Sequence, residues 1–332
     1  MERENRILGK RTLGVTMANA RKVLLVAHTR RDEALTATFE TAALLLAQGI
    51  SPVMSQQELL DCQAWGQASN YPGVLGQVLQ LESQVSVSEL ELAIVLGGDG
   101  TILKAAELVR LASTPILGIN LGHVGFLAET EREGLSEAVQ RVVDIDFEIV
   151  ERLTLDVSVY VNRDLVFNTW ALNEATVEKG SAEKMIEVVV EIDGRPLSSF
   201  GCDGVVMSTP TGSTAYAFSA GGPVVWPSVE AMLLVPLSAH ALFSRPLVIS
   251  PASMMAVEIL QRSSGNGVLW CDGRRTQVLP QGARVEVRRS DKPVRLARFR
   301  QAEFTDRLVQ KFSLPVTGWR GPESEHEGDS AP

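Results

Sequence analysis

The chain has 332 residues, 45% hydrophobic and 21% charged, a length that suits two domains with real cores and a composition typical of globular proteins. Its formal net charge of -9 argues against a nucleic-acid partner, which needs a basic footprint. No apolar run nears the roughly 18 residues of a spanning helix, the N-terminus lacks a signal-peptide core, and Cys62, Cys202 and Cys271 are widely spaced, so a reduced, cytoplasmic protein without a membrane partner is expected.

Residues 1-20 are polar and aperiodic and are expected to be a disordered leader; Met17 stands just before the first strand-like run and is an alternative start. KVLLVAH at 22-28 reads as a strand. An amphipathic stretch from Asp32 to about Gln48 follows as a helix, with Gly49 as its C′ residue. A second strand near 50-54, a third at 90-96, a helix from Thr101 to about Ala112, a strand at 115-120 and a helix at 132-143 continue the series. Such alternation predicts an α/β domain over 21-150 with a mostly parallel sheet.

Near residue 150 the period changes. In RLTLDVSVYVN the apolar residues Leu153, Leu155, Val157, Val159 and Val161 alternate with Thr154, Asp156, Ser158 and Tyr160, the signature of a half-buried antiparallel strand. A turn at Asn162-Arg163-Asp164 follows, and Asp193-Gly194 and Asp272-Gly273 are hairpin signals. An all-β domain is expected over 151-295. FTDRLVQKF at 304-312 returns to helical or mixed character, and residues from 321 form an acidic, solvated tail.

Three stretches carry chemistry. LGGDGT at 96-101 ends an apolar strand and opens a helix, where free N–H groups favour anions. It is not a Walker loop, because GK[ST] is absent. Nor is it the dinucleotide fingerprint, whose third glycine would fall on Leu103. Gly97, Gly98, Gly100 and Thr101 are therefore read as a phosphate loop. Lys104 in the first helical turn is tolerable there if it reaches a phosphate, although it also reads as an exposed side chain. Asp99 has three candidate roles: a turn residue, a magnesium ligand, or a general base for a hydroxyl that attacks a neighbouring phosphate. In ALNEATVEKG, Asn173 and Glu174 stand side by side and suit the two hydroxyls of a ribose. Lys179 and Lys184 follow, suited to a pyrophosphate or to a solvated face. SFGCDGVVMSTPTGSTAYAFSAGGPVVWP at 199-227 packs hydroxyls among small residues, and Tyr216 can stack on a base. No serine there has the GxSxG spacing, and His28, His123, His240 and His326 have no metal-ligand spacing, so neither a nucleophilic hydrolase nor a resident metal is expected.

GGDGT at 97-101, the Asn-Glu pair at 173-174 and DGVVMSTPTGSTAYAFSAGGP at 203-223 occur together and in order, and with them the chain resembles the NAD kinases. The similarity covers residues 21-320, and FTDRLVQKFSLPVTGWRG has the form of the actinobacterial branch. The resemblance implies an α/β N-terminal domain, a sandwich-like all-β C-terminal domain, and a segment over 296-320 that returns to the first domain. It implies phosphorylation of the 2′-hydroxyl of the adenosine ribose of NAD to make NADP, with ATP or, in some members, polyphosphate as donor and magnesium arriving with ATP. It implies Asp99 as proton acceptor. The NAD site would comprise Asp99, Gly100, Lys104, Asn173, Glu174, Lys184, Asp203, Thr211, Thr214, Ala215, Tyr216, Ala217, Phe218 and Ser219, with Phe218 where a leucine is common. A homo-oligomer, dimer or tetramer, is what the family suggests. The alternatives are another GGDG-loop kinase acting on lipids or sugar phosphates, or an NAD(P) sensor without catalysis.

Overall fold

The computed structural model describes residues 21-122, 125-180, 184-242, 244-299 and 304-316. The expected leader and acidic tail lie outside the described residues.

Strands β1 (Lys22–Ala27), β2 (Ser51–Met54), β3 (Leu79–Gln80), β4 (Leu92–Leu96), β5 (Ile116–Asn120), β6 (Thr130–Glu131) and β7 (Glu148–Arg152) alternate with helices α1 (Asp32–Ala47), α2 (Gln56–Ala64), α3 (Asp99–Val109) and α4 (Leu135–Val143). The sheet order is β3-β2-β1-β4-β5, and every pairing in that run is parallel. Side chains alternate to two buried faces: Val23 and Leu25 pack with α1 and α4, whereas Leu24 and Val26 pack with α3. Fully buried parallel strands require apolar residues at every position, which is why β1 and β4 show no alternation.

The expected helix from Thr101 starts two residues earlier, at Asp99. Gly98 is its extended N-cap, and an acidic first-turn residue is favoured by the helix dipole. Helix α2 was not foreseen, although Ser55 and Glu58 form a full capping box at its start. Gly49 has φ +71°, as its C′ position demands.

The second domain comprises β8 (Leu155–Val161), β9 (Asp164–Ala171), β10 (Glu174–Lys179), β11 (Ile186–Ile192), β12 (Arg195–Cys202), β13 (Gly204–Ser208), the short helix α5 (Tyr216–Ser219), β14 (Met232–Leu237), β15 (Leu247–Ile249), β16 (Met255–Ile259), β17 (Gly267–Cys271), β18 (Arg275–Leu279) and β19 (Arg284–Arg289). They make two six-stranded antiparallel sheets, β15-β14-β13-β10-β17-β18 and β12-β11-β16-β19-β8-β9. One core holds both faces together, with Val157 and Val188 from one sheet against Val177, Val205 and Leu269 from the other. Asp193 and Asp272 both have positive φ, 52° and 54°, as the hairpin reading requires.

Strand β20 (Val294–Arg298) then re-enters the first sheet, parallel to β5 and antiparallel to β7. Helix α6 (Phe304–Phe312) follows it. The two chain crossings between the domains are bonded to each other: Ser290 N–H donates to Thr154 O at 2.8 Å, and the Thr154 hydroxyl donates to Lys292 O at 2.7 Å. The buried Arg110, just past α3, donates to Lys292 O, Thr154 Oγ1 and Ser290 Oγ and so clasps both crossings.

A candidate phosphotransfer site between the domains

From β1 the chain winds to β2 on one side of the sheet and later crosses to β4 on the other, so the loops leaving β1 and β4 diverge and open a crevice. A cavity of about 610 Å³ lies there, lined by His28 to Arg31 after β1, Gly97, Gly98, Gly100, Thr101 and Lys104 after β4, and Asn120 to Gly122 after β5. Arg30, Arg31 and Lys104 give its wall positive charge, and Arg274 joins them from the β domain. The phosphate-loop glycines all have negative φ, and they differ in what they allow. A Cβ on Gly97 would meet the Thr101 hydroxyl at 2.5 Å, whereas Gly98 and Gly100 face open space. Lys104 reaches this wall while paired at 2.9 Å with Glu58, whose other contacts are the Ser55 cap and the Ala27 N–H.

Asp99 sits at the edge of this crevice. Its two carboxylate oxygens accept from the N–H groups of Leu127 at 3.1 Å and Phe126 at 3.2 Å, which fixes its orientation. Each oxygen keeps lone-pair capacity for a further donor. Gly125 makes this approach feasible, because a Cβ there would lie 2.5 Å from Asp99 Oδ1. Phe126 and Leu127 in turn line a second cavity, of about 340 Å³, together with Thr211, Thr214, Trp226 and Arg307. Arg307 on α6 donates to the carbonyls of Phe126 and Ala128 and to Glu129, so the returning segment holds the loop that orients Asp99. Phe304 and Phe312 stack the same helix on Phe126, and Phe218 lies 4.7 Å from Phe312.

In the β domain, Asn173 and Glu174 are buried at 9% and 7% exposure. Their turn is held by Asp272, whose carboxylate accepts the N–H groups of Leu172, Asn173 and Glu174. Gly212 lets the 3₁₀ turn Thr211–Thr214 lie on Asn173, since a Cβ there would be 2.1 Å from Asn173 O. The hydroxyls of Ser208, Thr209 and Ser213 are spent on backbone groups inside this knot. Glu174 lines a cavity of about 460 Å³ with Tyr216, Trp270, Asp272 and Gly273. Burial first, then the nearby Asp272 and Glu178 charges, push the Glu174 carboxyl up to about 8, against the Tyr216 N–H that it accepts. Its Oε2 is buried with no hydrogen-bond partner, so the site carries an acceptor left for a ligand.

The structure thus places Glu174 and Tyr216 on one cavity of the β domain and Thr211 and Thr214 on a second at the domain junction, with Asn173 in the turn beneath the Thr211–Thr214 helix. Asp99 is bonded to Phe126 and Leu127 of the junction cavity and stands between Gly98 and Gly100 of the phosphate cavity. Ala215 directly precedes α5, whose Ser219 is exposed, whereas Ala217 packs in the core on Val206 and Val235. Asp203 is paired with Lys179 at 2.7 Å, a bond that lowers its carboxyl below the usual range. Lys184 is exposed and lines none of these cavities. The sequence reading missed Arg30, Arg31, Arg274, Asp272 and Arg307. The available signals were the basic pair directly after β1, where an open parallel sheet binds ligands, and the Asp-Gly-Arg-Arg tip read only as a turn.

A basic crevice at the switch point of an open sheet, an oriented carboxylate at its rim, and a second domain presenting a buried amide and carboxyl define a phosphotransferase acting on a hydroxyl. Family models agree: the ATP-NAD kinase N-terminal domain matches residues 23–147 and the ATP-NAD kinase C-terminal domain residues 172–299. An NAD kinase of Leifsonia xyli subsp. xyli is 61% identical over 92% of this chain and 99% of its own length. An NAD kinase 2 of Streptomyces avermitilis is 56% identical over the same shares. Yeast NADH kinase complexed with NADH superposes with TM-score 0.78 at 22% identity, over 90% of this chain and 89% of that one. An NAD kinase from Archaeoglobus fulgidus in complex with ATP gives 0.63 at 23%, over 89% and 100%. The chain belongs to the NAD kinase family.

Proposed function

We infer that the protein is an NAD kinase that transfers the terminal phosphoryl group of ATP to the 2′-hydroxyl of the adenosine ribose of NAD, yielding NADP. The observation that carries this is the placing of Asp99, held by two backbone N–H groups between a basic crevice and a cavity at the junction of the two domains. NAD lies on the β domain, where Asn173 and Glu174 take the ribose hydroxyls and Tyr216 stacks on a base. Thr211, Thr214, Ala215 and Ser219 flank it, and Asp203, paired with Lys179, is a further contact. The donor's phosphates enter at the start of α3, where Gly98 and Gly100 leave room and Arg30, Arg31 and Lys104 offset their charge. Magnesium arrives as part of the substrate, with ATP. Asp99 takes the ribose proton as the oxygen bonds to the phosphorus, and the bond to the bridging oxygen breaks to release ADP.

Among the described residues no helix is long and apolar enough to cross a membrane. Three free, buried cysteines support a cytoplasmic setting. Exposed Leu165 and Val166 on edge strand β9, and Leu197 on edge strand β12, support a homo-oligomer. The test is NADP formation from NAD, ATP and magnesium by the purified chain beside its Asp99→Asn variant, then with polyphosphate as donor. Turnover should fall about 10²–10⁴-fold in the variant with NAD binding retained. Near-normal turnover in Asp99→Asn would refute the base, and absence of NADP with either donor would refute the kinase.

A further inference from the structure

The tip of the β17–β18 hairpin touches both halves of the site. Asp272 and Gly273 take positive φ, 54° and 63°, and this turns the Asp272 carboxylate back onto the Asn173–Glu174 turn while Gly273 lines the cavity beside Tyr216. Arg274 leaves the β domain altogether. It lines the phosphate cavity of the first domain with Gly98, Gly100 and Lys104, and its Nε and Nη2 each meet an oxygen of Glu107 on α3 at 3.0 Å.

That pairing is built to be exchanged. Arg274 is 38% exposed, so a ligand in the crevice can reach its guanidinium. Glu107 also accepts from Arg275 Nη1 at 3.0 Å, so it keeps a cation when Arg274 departs. A guanidinium fork fits a phosphate as well as it fits a carboxylate, and two phosphate oxygens bring more charge than one carboxylate.

We propose that Arg274 is a ligand of the donor's phosphates, supplied across the domain junction by the NAD-binding domain, and that it exchanges Glu107 for a phosphate when the donor enters. The proposal rests on reading the chain as an NAD kinase. Asp272, two residues before Arg274, holds the turn that presents Asn173 and Glu174, so donor and acceptor are gripped by one hairpin.

Steady-state kinetics of the full chain test this, with magnesium-ATP varied at saturating NAD and NAD varied at saturating ATP. Arg274→Ala should raise the KM for ATP about tenfold or more, the lower range for a bond to a charged group, and leave the KM for NAD within about threefold. Arg274→Lys, which keeps the charge and loses the fork, should recover part of the loss. Glu107→Gln removes the competing carboxylate and should lower the KM for ATP about two- to threefold. An unchanged KM for ATP in Arg274→Ala overturns the proposal. So do equal rises in both KM values, or a rise in Glu107→Gln matching that of Arg274→Ala, because either result makes the pair a structural clamp. NADP made by the wild type with such results would sink only the role of Arg274, whereas no NADP from the wild type would sink the kinase reading itself.

Discussion

Glu174 combines burial, a neighbouring carboxylate and an oxygen without a partner. With its carboxyl near 8 in the fold against about 4.3 in an unfolded chain, the folded state holds the extra proton between those values. The stabilising contribution of the neutral acid is thus complete below about pH 4.3 and lost as pH rises through 8, at no more than about 1.4 kcal/mol per pH unit. Glu174→Gln should therefore gain in melting temperature over the wild type as pH is raised from 5 to 8; a constant gap would show that the carboxyl titrates normally. If Glu174 accepts from the ribose hydroxyls as proposed, binding favours its ionised form, so NAD should bind more tightly as pH approaches 8, and calorimetry of the glutamine variant should find that slope gone. Gly125 allows a second test at this scale. A methyl group there displaces the Asp99 carboxylate, the free end of a side chain, rather than backbone. Gly125→Ala should cost turnover at least about tenfold, the scale of one misplaced catalytic group, with the melting temperature nearly unchanged. A variant that loses stability and keeps its turnover would place the strain elsewhere.

Helix α3 is the element on which the site is assembled. Asp99 opens it, Lys104 lies one turn in, Glu107 receives the β17–β18 hairpin, and Arg110 follows its last turn. Arg110 and Arg275 each place a guanidinium 4.5 Å from the centre of the Trp170 ring, so the helix is held to the strand that leads into Asn173. Arg110→Ala removes the buried guanidinium that bonds two hydroxyls and a carbonyl at the domain crossings and should cost about 2–4 kcal/mol by urea unfolding. A loss under about 0.5 kcal/mol, the level of a surface change, would make the clasp incidental. Much of this element scale was legible in the residues. The alternation of RLTLDVSVYVN, the two Asp-Gly tips and Gly49 each announced a local geometry that needs no distant partner. Helix α2 and the short β3 were not, because a nine-residue helix of mean apolar content and a two-residue strand carry too little period to stand out. The site divided along the same line. Asp99, Asn173, Glu174 and Tyr216 stand out as candidates from their motifs alone, whereas Lys104 with Glu58, or Arg307 with Phe126, are partnerships over 46 and 181 residues that only the fold brings about. Asp272 was hidden by its own turn signal, since a residue that explains a hairpin invites no second explanation.

At the scale of the molecule, the two domains share one sheet strand, one clasp and one cleft. Ser290, Thr154 and Lys292 tie the outgoing and returning chain together, so the domains should melt as one. Calorimetry should show a single transition that moves to higher temperature with NAD, and two separated transitions would show that the crossings do not couple them. The return of β20 also sets an order in time. Its neighbour β5 is made long before it, and at 5–20 residues per second that interval is on the order of ten to forty seconds of synthesis. Throughout it the nascent parallel sheet presents an unpaired edge at Ile116, and the arginine that steadies the Asp99 loop has not been made. Until β20 arrives, the first domain therefore carries both an open sheet edge and an unsupported Asp99 loop, so mispairing at Ile116 is the hazard of this chain order.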